Sequence, residues 1–288
     1  MILQLKSANY TVLVNSFGAE LCSVKNNNGL EFIWEANQSV WARHAPVLFP
    51  IVGKLKNNTF QYQQVNYELG QHGFARDLNF ELTESTSSSC TFRLEANEKT
   101  RQHYPFEFIL EIKYILINNQ LEVIYVVRNS TSEKLYFSIG AHPAFNIPLE
   151  KDELFEDYFF EFSSTSLEQT KLEQGLISNS KKTIKLLNHQ LGLSSGLFDE
   201  DALVFENTQI EEISLKSSKT GHKIELICTN WPFFGIWSKK GCKEFVCLEP
   251  WFGIADLHDS NQVFTEKKGI ICLEPLKTFE CGYTLGFE

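Results

Sequence analysis

Phe106-Glu107-Phe108-Ile109-Leu110-Glu111-Ile112-Lys113-Tyr114-Ile115-Leu116-Ile117-Asn118-Asn119-Gln120-Leu121-Glu122-Val123-Ile124-Tyr125-Val126-Val127 is the stretch that decides the fold. Phe106, Phe108, Leu110, Ile112 and Tyr114 fall on a period of two, and after Asn118-Asn119 the period resumes in Leu121, Val123, Tyr125 and Val127. Successive side chains of an extended chain point to opposite faces, so the pattern predicts a long antiparallel hairpin. Outward from it the same grammar recurs. Glu20 to Val24 and Leu30 to Trp34 flank an Asn-Asn-Asn-Gly turn, and Phe60 to Tyr62 and Val65 to Tyr67 flank Gln63-Gln64. Further strands are predicted at Tyr136 to Ile139, Tyr158 to Phe162, Ala202 to Glu206, Ile213 to Lys216, Lys223 to Cys228, Phe234 to Trp237, Glu244 to Leu248 and Tyr283 to Phe287.

Sheets of this many strands curl or split into two layers, so the expected fold class is all-β, a large antiparallel β-sandwich with a concave face for a site. Helix is expected only at Glu98 to Tyr104 and Ser195 to Asp199, and Ser163 to Asn188 reads as a polar connection. No Pro/Gly/Ser-rich linker or charge block divides residues 1–288, which predicts one domain. The skew of 24 Phe against one Met agrees with a strand-rich chain.

With 36 acidic against 26 basic side chains the formal charge is −10, which disfavours nucleic acid and anionic membranes as partners. The N-terminus lacks a signal-peptide pattern and no window has membrane-span length, so a cytoplasmic location is expected. Seven scattered cysteines without Cys-x-x-Cys spacing favour buried thiols over disulfides or zinc, and neither a metal nor a cofactor is expected.

Three segments carry the chemistry: Gln71-His72-Gly73-Phe74-Ala75-Arg76-Asp77, Gly140-Ala141-His142-Pro143-Ala144-Phe145, and Leu248-Glu249-Pro250-Trp251. A carboxylate and two imidazoles beside aromatic rings suit proton transfer on a polyhydroxylated ring. Alternation from Phe245 through Cys247 turns Glu249 inward, where a carboxylate is costly without a partner or a role. Trp251 is the tryptophan expected to face the site, with Phe145 a second candidate. Each has a bland counterpart: a His before Pro or Gly can fasten a turn, Arg76 can pair with Asp77 or Glu81, and the other tryptophans, Trp34, Trp41, Trp231 and Trp237, suit a sandwich core.

These segments, together with Ala45-Pro46-Val47-Leu48-Phe49-Pro50-Ile51-Val52-Gly53, stand in the order seen in aldose 1-epimerases, and the chain most resembles the LacX-like branch of these galactose mutarotase-like proteins. The resemblance implies the galactose mutarotase-like supersandwich, no cofactor, and interconversion of the α and β anomers of a free aldohexose. It implies Glu249 as the base on the anomeric hydroxyl, His142 as the acid on the ring oxygen, and His72 as a hydrogen-bonding partner of the ring. Arg76 and Asp201 match substrate-orienting positions. Glu274, in the second Cys-Leu-Glu-Pro at 272 to 275, is set aside as a loop residue.

Where galactose-specific mutarotases carry an Asn-Arg pair, this chain has Gly53-Lys54-Leu55-Lys56-Asn57; Lys54 substitutes the point charge but not the planar fork of arginine. The aldose is thus left open. Arg43, Lys54 and Arg76 suggest as an alternative a hexose 6-phosphate, and a non-catalytic carbohydrate-binding sandwich is a third reading. The partner is a small sugar in each case, and a homodimer is compatible with the sequence.

Overall fold

The computed structural model describes residues 1–288, with 49% strand and 6% helix. The hairpin forms as Ile109–Ile117 and Gln120–Arg128, paired from Ile117 with Gln120 to Ile109 with Arg128. It lies inside a nine-stranded antiparallel sheet ordered Gln190–Gly192, Tyr158–Phe162, Glu212–Ser217, Lys223–Ile227, Thr278–Phe287, Gln120–Arg128, Ile109–Ile117, Ser89–Glu95, Glu81–Ser85. A second, seven-stranded sheet runs Ile139–Gly140, Phe245–Phe252, Phe233–Trp237, Leu203–Glu206, Ser166–Glu173, Leu176–Lys185, with Ala144–Asn146 also pairing to Phe245–Phe252.

Alternation explains how the two sheets share a core. Leu110, Ile112, Val123 and Val127 of the first sheet and Leu203, Phe205, Phe234, Ile236, Val246 and Leu248 of the second belong to one cluster of 64 buried apolar residues. The intervening residues of the second sheet face away from that core. Ala202, Val204, Phe233 and Trp251 pack instead with Leu48, Val52, Ile254 and Ala255, supplied by loops that cover the sheet's outer face. The second sheet is therefore covered on both sides, and its strand Phe245–Phe252 is buried at every position but the last.

Pro250 lies within this strand, which extends past the end expected at Leu248. A residue of an antiparallel strand directs its N–H and C=O to the same side. The Pro250 carbonyl accepts from the Ala141 N–H, so its missing N–H faces the place where the neighbouring chain is broken between Ile139–Gly140 and Ala144–Asn146. The reciprocal bond to Ala141 is therefore absent, and the pairing continues through the Leu248 N–H, which donates to the Pro143 carbonyl. The break, residues 141 to 143, holds His142.

Three other expectations are corrected. Ser163 to Asn188 is not a connection but the hairpin Ser166–Glu173 and Leu176–Lys185; the outer strand is exposed from Asn179 to Thr183 and so shows no apolar alternation. Ser195 to Asp199 forms successive tight turns, with Leu197 bonded to Ser194, Asp199 to Gly196 and Asp201 to Phe198, rather than a helix. Leu30 to Trp34 makes only single bridges, because its backbone changes partner from Val24 at Phe32 to Ala144 at Trp34. The helix at Glu98–His103 forms where expected, with Asn97 capping the Lys99 and Thr100 N–H groups.

The alternation has a direct test on one strand. Ile112 is fully buried and Ile117 is 58% exposed. Ile112→Ala should lower the unfolding free energy by about 2–5 kcal/mol, whereas Ile117→Ala should stay within about 0.5 kcal/mol of the parent. Urea denaturation of both variants distinguishes this arrangement from one in which the strand is shifted by one residue.

Candidate active site

A cavity of about 560 Å³ opens on the outer face of the second sheet, and His72, Arg76, His142, Asp201, Glu249 and Trp251 line it. Six of the eight candidate residues are thus brought together from four separate parts of the chain. Lys54 and Phe145 are not. The Lys54 ammonium reaches the Gln174 carbonyl at 3.3 Å in the turn of the Ser166–Lys185 hairpin, outside the cavity wall. Phe145 follows Ala144 on a strand; Ala144 joins the cluster around Cys247, so Phe145 points the other way, into the main core. Glu274 is bound to Lys134 at 2.8 Å on the surface, as befits a loop residue.

Strand alternation directs Phe245, Cys247, Glu249 and Trp251 to the cavity side. Glu249 is 2% exposed, and its Oε2 lies 3.2 Å from Nε2 of His142 in the chain break opposite. Burial, reinforced by the Asp201 carboxylate, pushes the Glu249 carboxyl well above its usual range, while Trp251 pulls weakly the other way. Burial, followed by the Arg76 charge, lowers His142 to about 3. Both partners are thereby driven to their neutral forms. A protonated carboxyl and a neutral imidazole carry the same single proton as a carboxylate and an imidazolium, so the geometry allows one proton to be held between Oε2 and Nε2.

His72 sits in a turn that the next residue makes possible. A Cβ on Gly73 would lie 2.3 Å from the Phe49 carbonyl oxygen, and the backbone there has φ +70°. The Gly53 N–H donates to His72 Nδ1 at 3.1 Å, which leaves the ring proton on Nε2, where the Gln71 side-chain amide lies 3.2 Å away. Burial and the neighbouring His142, Arg76 and Arg43 hold His72 well below its usual value, so it is a neutral donor. Arg43 takes Asp77 at 2.9 Å, whereas Arg76 stands 3.8 Å from it and bonds the Gln71 carbonyl; its buried Nε has no partner. Arg76 nevertheless lines the cavity, where its guanidinium can meet a ligand.

Trp251 lies flat over the sheet because the strand beneath it has glycine: a Cβ on Gly235 would meet the indole at 2.3 Å. Its buried Nε1–H faces the Glu249 carboxyl without closing a full hydrogen bond. Trp41, expected in the core, lines the cavity instead and stacks on His142 with ring centroids 5.0 Å apart, while Trp237 meets the same imidazole edge-on. The loop that carries Trp41 is pinned by Trp34 Nε1–H donating to the Trp41 carbonyl and by Lys239 donating to that of Val40. Lone aromatic residues in a loop carry no period, so sequence pattern gave no sign of this role. Apolar walls with convergent polar groups make a site for a small ring bearing many hydroxyls.

Comparison with known proteins identifies relatives of the whole chain. The family model for aldose 1-epimerase matches residues 1–267. The chromosomal protein LacX of Lactococcus lactis subsp. lactis is 32% identical over 295 residues, covering 99% of each chain. A galactose mutarotase related enzyme from Lactobacillus acidophilus superposes with a TM-score of 0.95 at 38% identity, over 100% of this chain and 97% of that one. A galactose mutarotase-like protein from Lactobacillus casei gives 0.93 at 28% identity, over the full length of both.

The shared proton has a consequence for stability. Glu249 has a higher pKa folded than unfolded, so its contribution is present below the unfolded value of about 4.3 and is lost as pH rises through the folded value. Glu249→Gln, which cannot ionise, should therefore gain stability relative to the parent as pH rises above about 4.3. Urea midpoints of both proteins between about pH 4 and about pH 9 should diverge in that direction; a constant difference would mean that Glu249 is an ordinary ionised carboxylate.

Proposed function

The chain belongs to the aldose 1-epimerase family, and we propose that it is a cofactor-independent mutarotase interconverting the anomers of a free aldohexose. The observation that carries this reading is the Glu249–His142 contact at 3.2 Å on the floor of the cavity. Opening a pyranose requires a proton to leave the anomeric hydroxyl and another to reach the ring oxygen. A pair holding one proton does both without net gain or loss of charge.

A sugar entering between the two groups donates hydroxyl hydrogens to the Glu249 carboxylate, which stabilises the anion and leaves the proton on His142. Glu249 then takes the anomeric proton as His142 protonates the ring oxygen, and the ring opens to the aldehyde. At that stage the carboxyl is protonated and the imidazole neutral, the distribution that burial favours in the empty cavity. Rotation about the bond between C1 and C2 presents the other face, and closure with the roles reversed gives the other anomer. His72 donates from Nε2 to the ring, Arg76 and Asp201 orient hydroxyls, and the Trp251 face supports the apolar side of the sugar. The seven unpaired cysteines support a reducing, cytoplasmic setting for this activity.

Arg43, Arg76 and Lys239 on the cavity wall favour a second reading, a phosphorylated hexose. Their charges are partly answered, since Arg43 holds Asp77 and Lys239 caps the Val40 carbonyl. The free sugar is the better fit.

Saturation-transfer NMR of α/β exchange in glucose, galactose and their 6-phosphates tests the assignment. Glu249→Gln and His142→Gln should each lose about 10²–10⁴-fold in rate, and the double variant should lose little more than either alone. Exchange no faster than buffer with all four sugars would leave only a binding role. The rate should also depend on pH as a one-proton pair requires. It falls at the acid end as His142, lowered to about 3, takes a second proton and removes the base, and at the alkaline end as the raised Glu249 carboxyl ionises and removes the acid. An alkaline limb at the ordinary imidazole value of about 6.5, where an isolated His142 would lose the acid's proton, would contradict the shared proton.

A further inference from the structure

Cys247 has no part in the chemistry above, yet its thiol lies on the same strand face two residues before Glu249. The ligand atoms of His142, Cys247 and Glu249 lie within 4.8 Å of one another, and all three residues are buried. We propose that His142, Cys247 and Glu249 form a binding site for a thiophilic divalent cation of the Zn²⁺ or Cd²⁺ class, and that the cation and the sugar exclude each other.

The donor set selects the ion. One thiolate, one imidazole and one carboxylate match Zn²⁺ and Cd²⁺, whereas Mg²⁺ and Ca²⁺ prefer shells of oxygen alone. Bonds of about 2.0–2.3 Å to a tetrahedral ion place donors about 3.5 Å apart, so closure of the side chains by roughly an ångström completes three ligands. Water from the cavity supplies the fourth. Charge also balances: the thiol proton and the proton shared by Glu249 and His142 pass to solvent, and a dication beside a thiolate and a carboxylate is neutral overall. This matters next to Arg76 and Arg43, which would repel an uncompensated cation. No electron moves, and the ion leaves when a chelator removes it. Metal binding requires only the geometry of the three side chains; inhibition follows because the bound ion occupies both the acid and the base, and that part rests on the function proposed above.

Co²⁺ titration of the intact protein separates the two. One equivalent should produce a thiolate-to-metal charge-transfer band, and X-ray absorption of the Zn²⁺ form should show one sulfur at about 2.3 Å with nitrogen and oxygen near 2.0 Å. Cys247→Ala and Cys247→Ser should both lose the band while retaining anomer exchange. In the parent, Zn²⁺ at ten times its Kd should slow exchange about tenfold, with relief by added sugar or by a chelator; Mg²⁺ should do nothing. A band that survives in both variants, a sulfur-free metal shell, or no saturable binding overturns the site, and these readouts hold whether or not the protein turns over a sugar. If neither variant folds, the sulfur count of the parent decides alone.

Discussion

Burial of strand Phe245–Phe252 on both faces is the constraint on which the rest depends. Val246 and Leu248 are fixed in the main core with Ile236 and Phe234, and because side chains alternate, that anchoring forces Cys247, Glu249 and Trp251 to the other side. The acidic side chain is placed by its apolar neighbours rather than by a loop. A slip of one residue would send Glu249 into hydrocarbon and Val246 into the cavity.

The break in the adjoining strand is the complement of that rigidity. Ile139–Gly140 and Ala144–Asn146 both pair with Phe245–Phe252, and between them the ladder thins to single bonds, Ala141 N–H to the Pro250 carbonyl and Leu248 N–H to the Pro143 carbonyl, because neither proline has an N–H for the reciprocal bond. His142 stands in that opening with its imidazole against Glu249 and its face against Trp41. The two prolines of the separate sequence motifs, Pro143 and Pro250, thus belong to one local arrangement: each terminates or spares hydrogen bonding at the same spot. Exclusion of water disfavours a lone charge on either group and favours a proton held between the two.

Much of this was legible in the sequence, for identifiable reasons. The hairpin Ile109–Arg128 was readable because one of its faces is buried along its length, which leaves a period of two. Glu249, His142 and His72 stood out through residue type and through motifs that bring Gly and Pro beside them. The hairpin Ser166–Lys185 was missed because its outer strand is largely solvent-facing and polar, so nothing in its pattern distinguishes it from a loop. Phe145 was misplaced although alternation with Ala144 was available to exclude it. Trp41 and Lys239 approach the cavity from distant, irregular segments, and proximity of that kind has no local signature.

The central claim is that Glu249 and His142 hold one proton between them and that a sugar takes the pair apart. Nitrogen-15 NMR of ring-labelled histidine reads this directly, with the His142 signals assigned by their absence in His142→Gln. Near neutral pH the free protein should show a neutral imidazole at His142 with one nitrogen hydrogen-bonded to an acidic proton, and saturation with a hexose should move it toward the imidazolium. A His142 that titrates as an isolated imidazole near about 6.5, unaffected by sugar or by Glu249→Gln, would contradict the account.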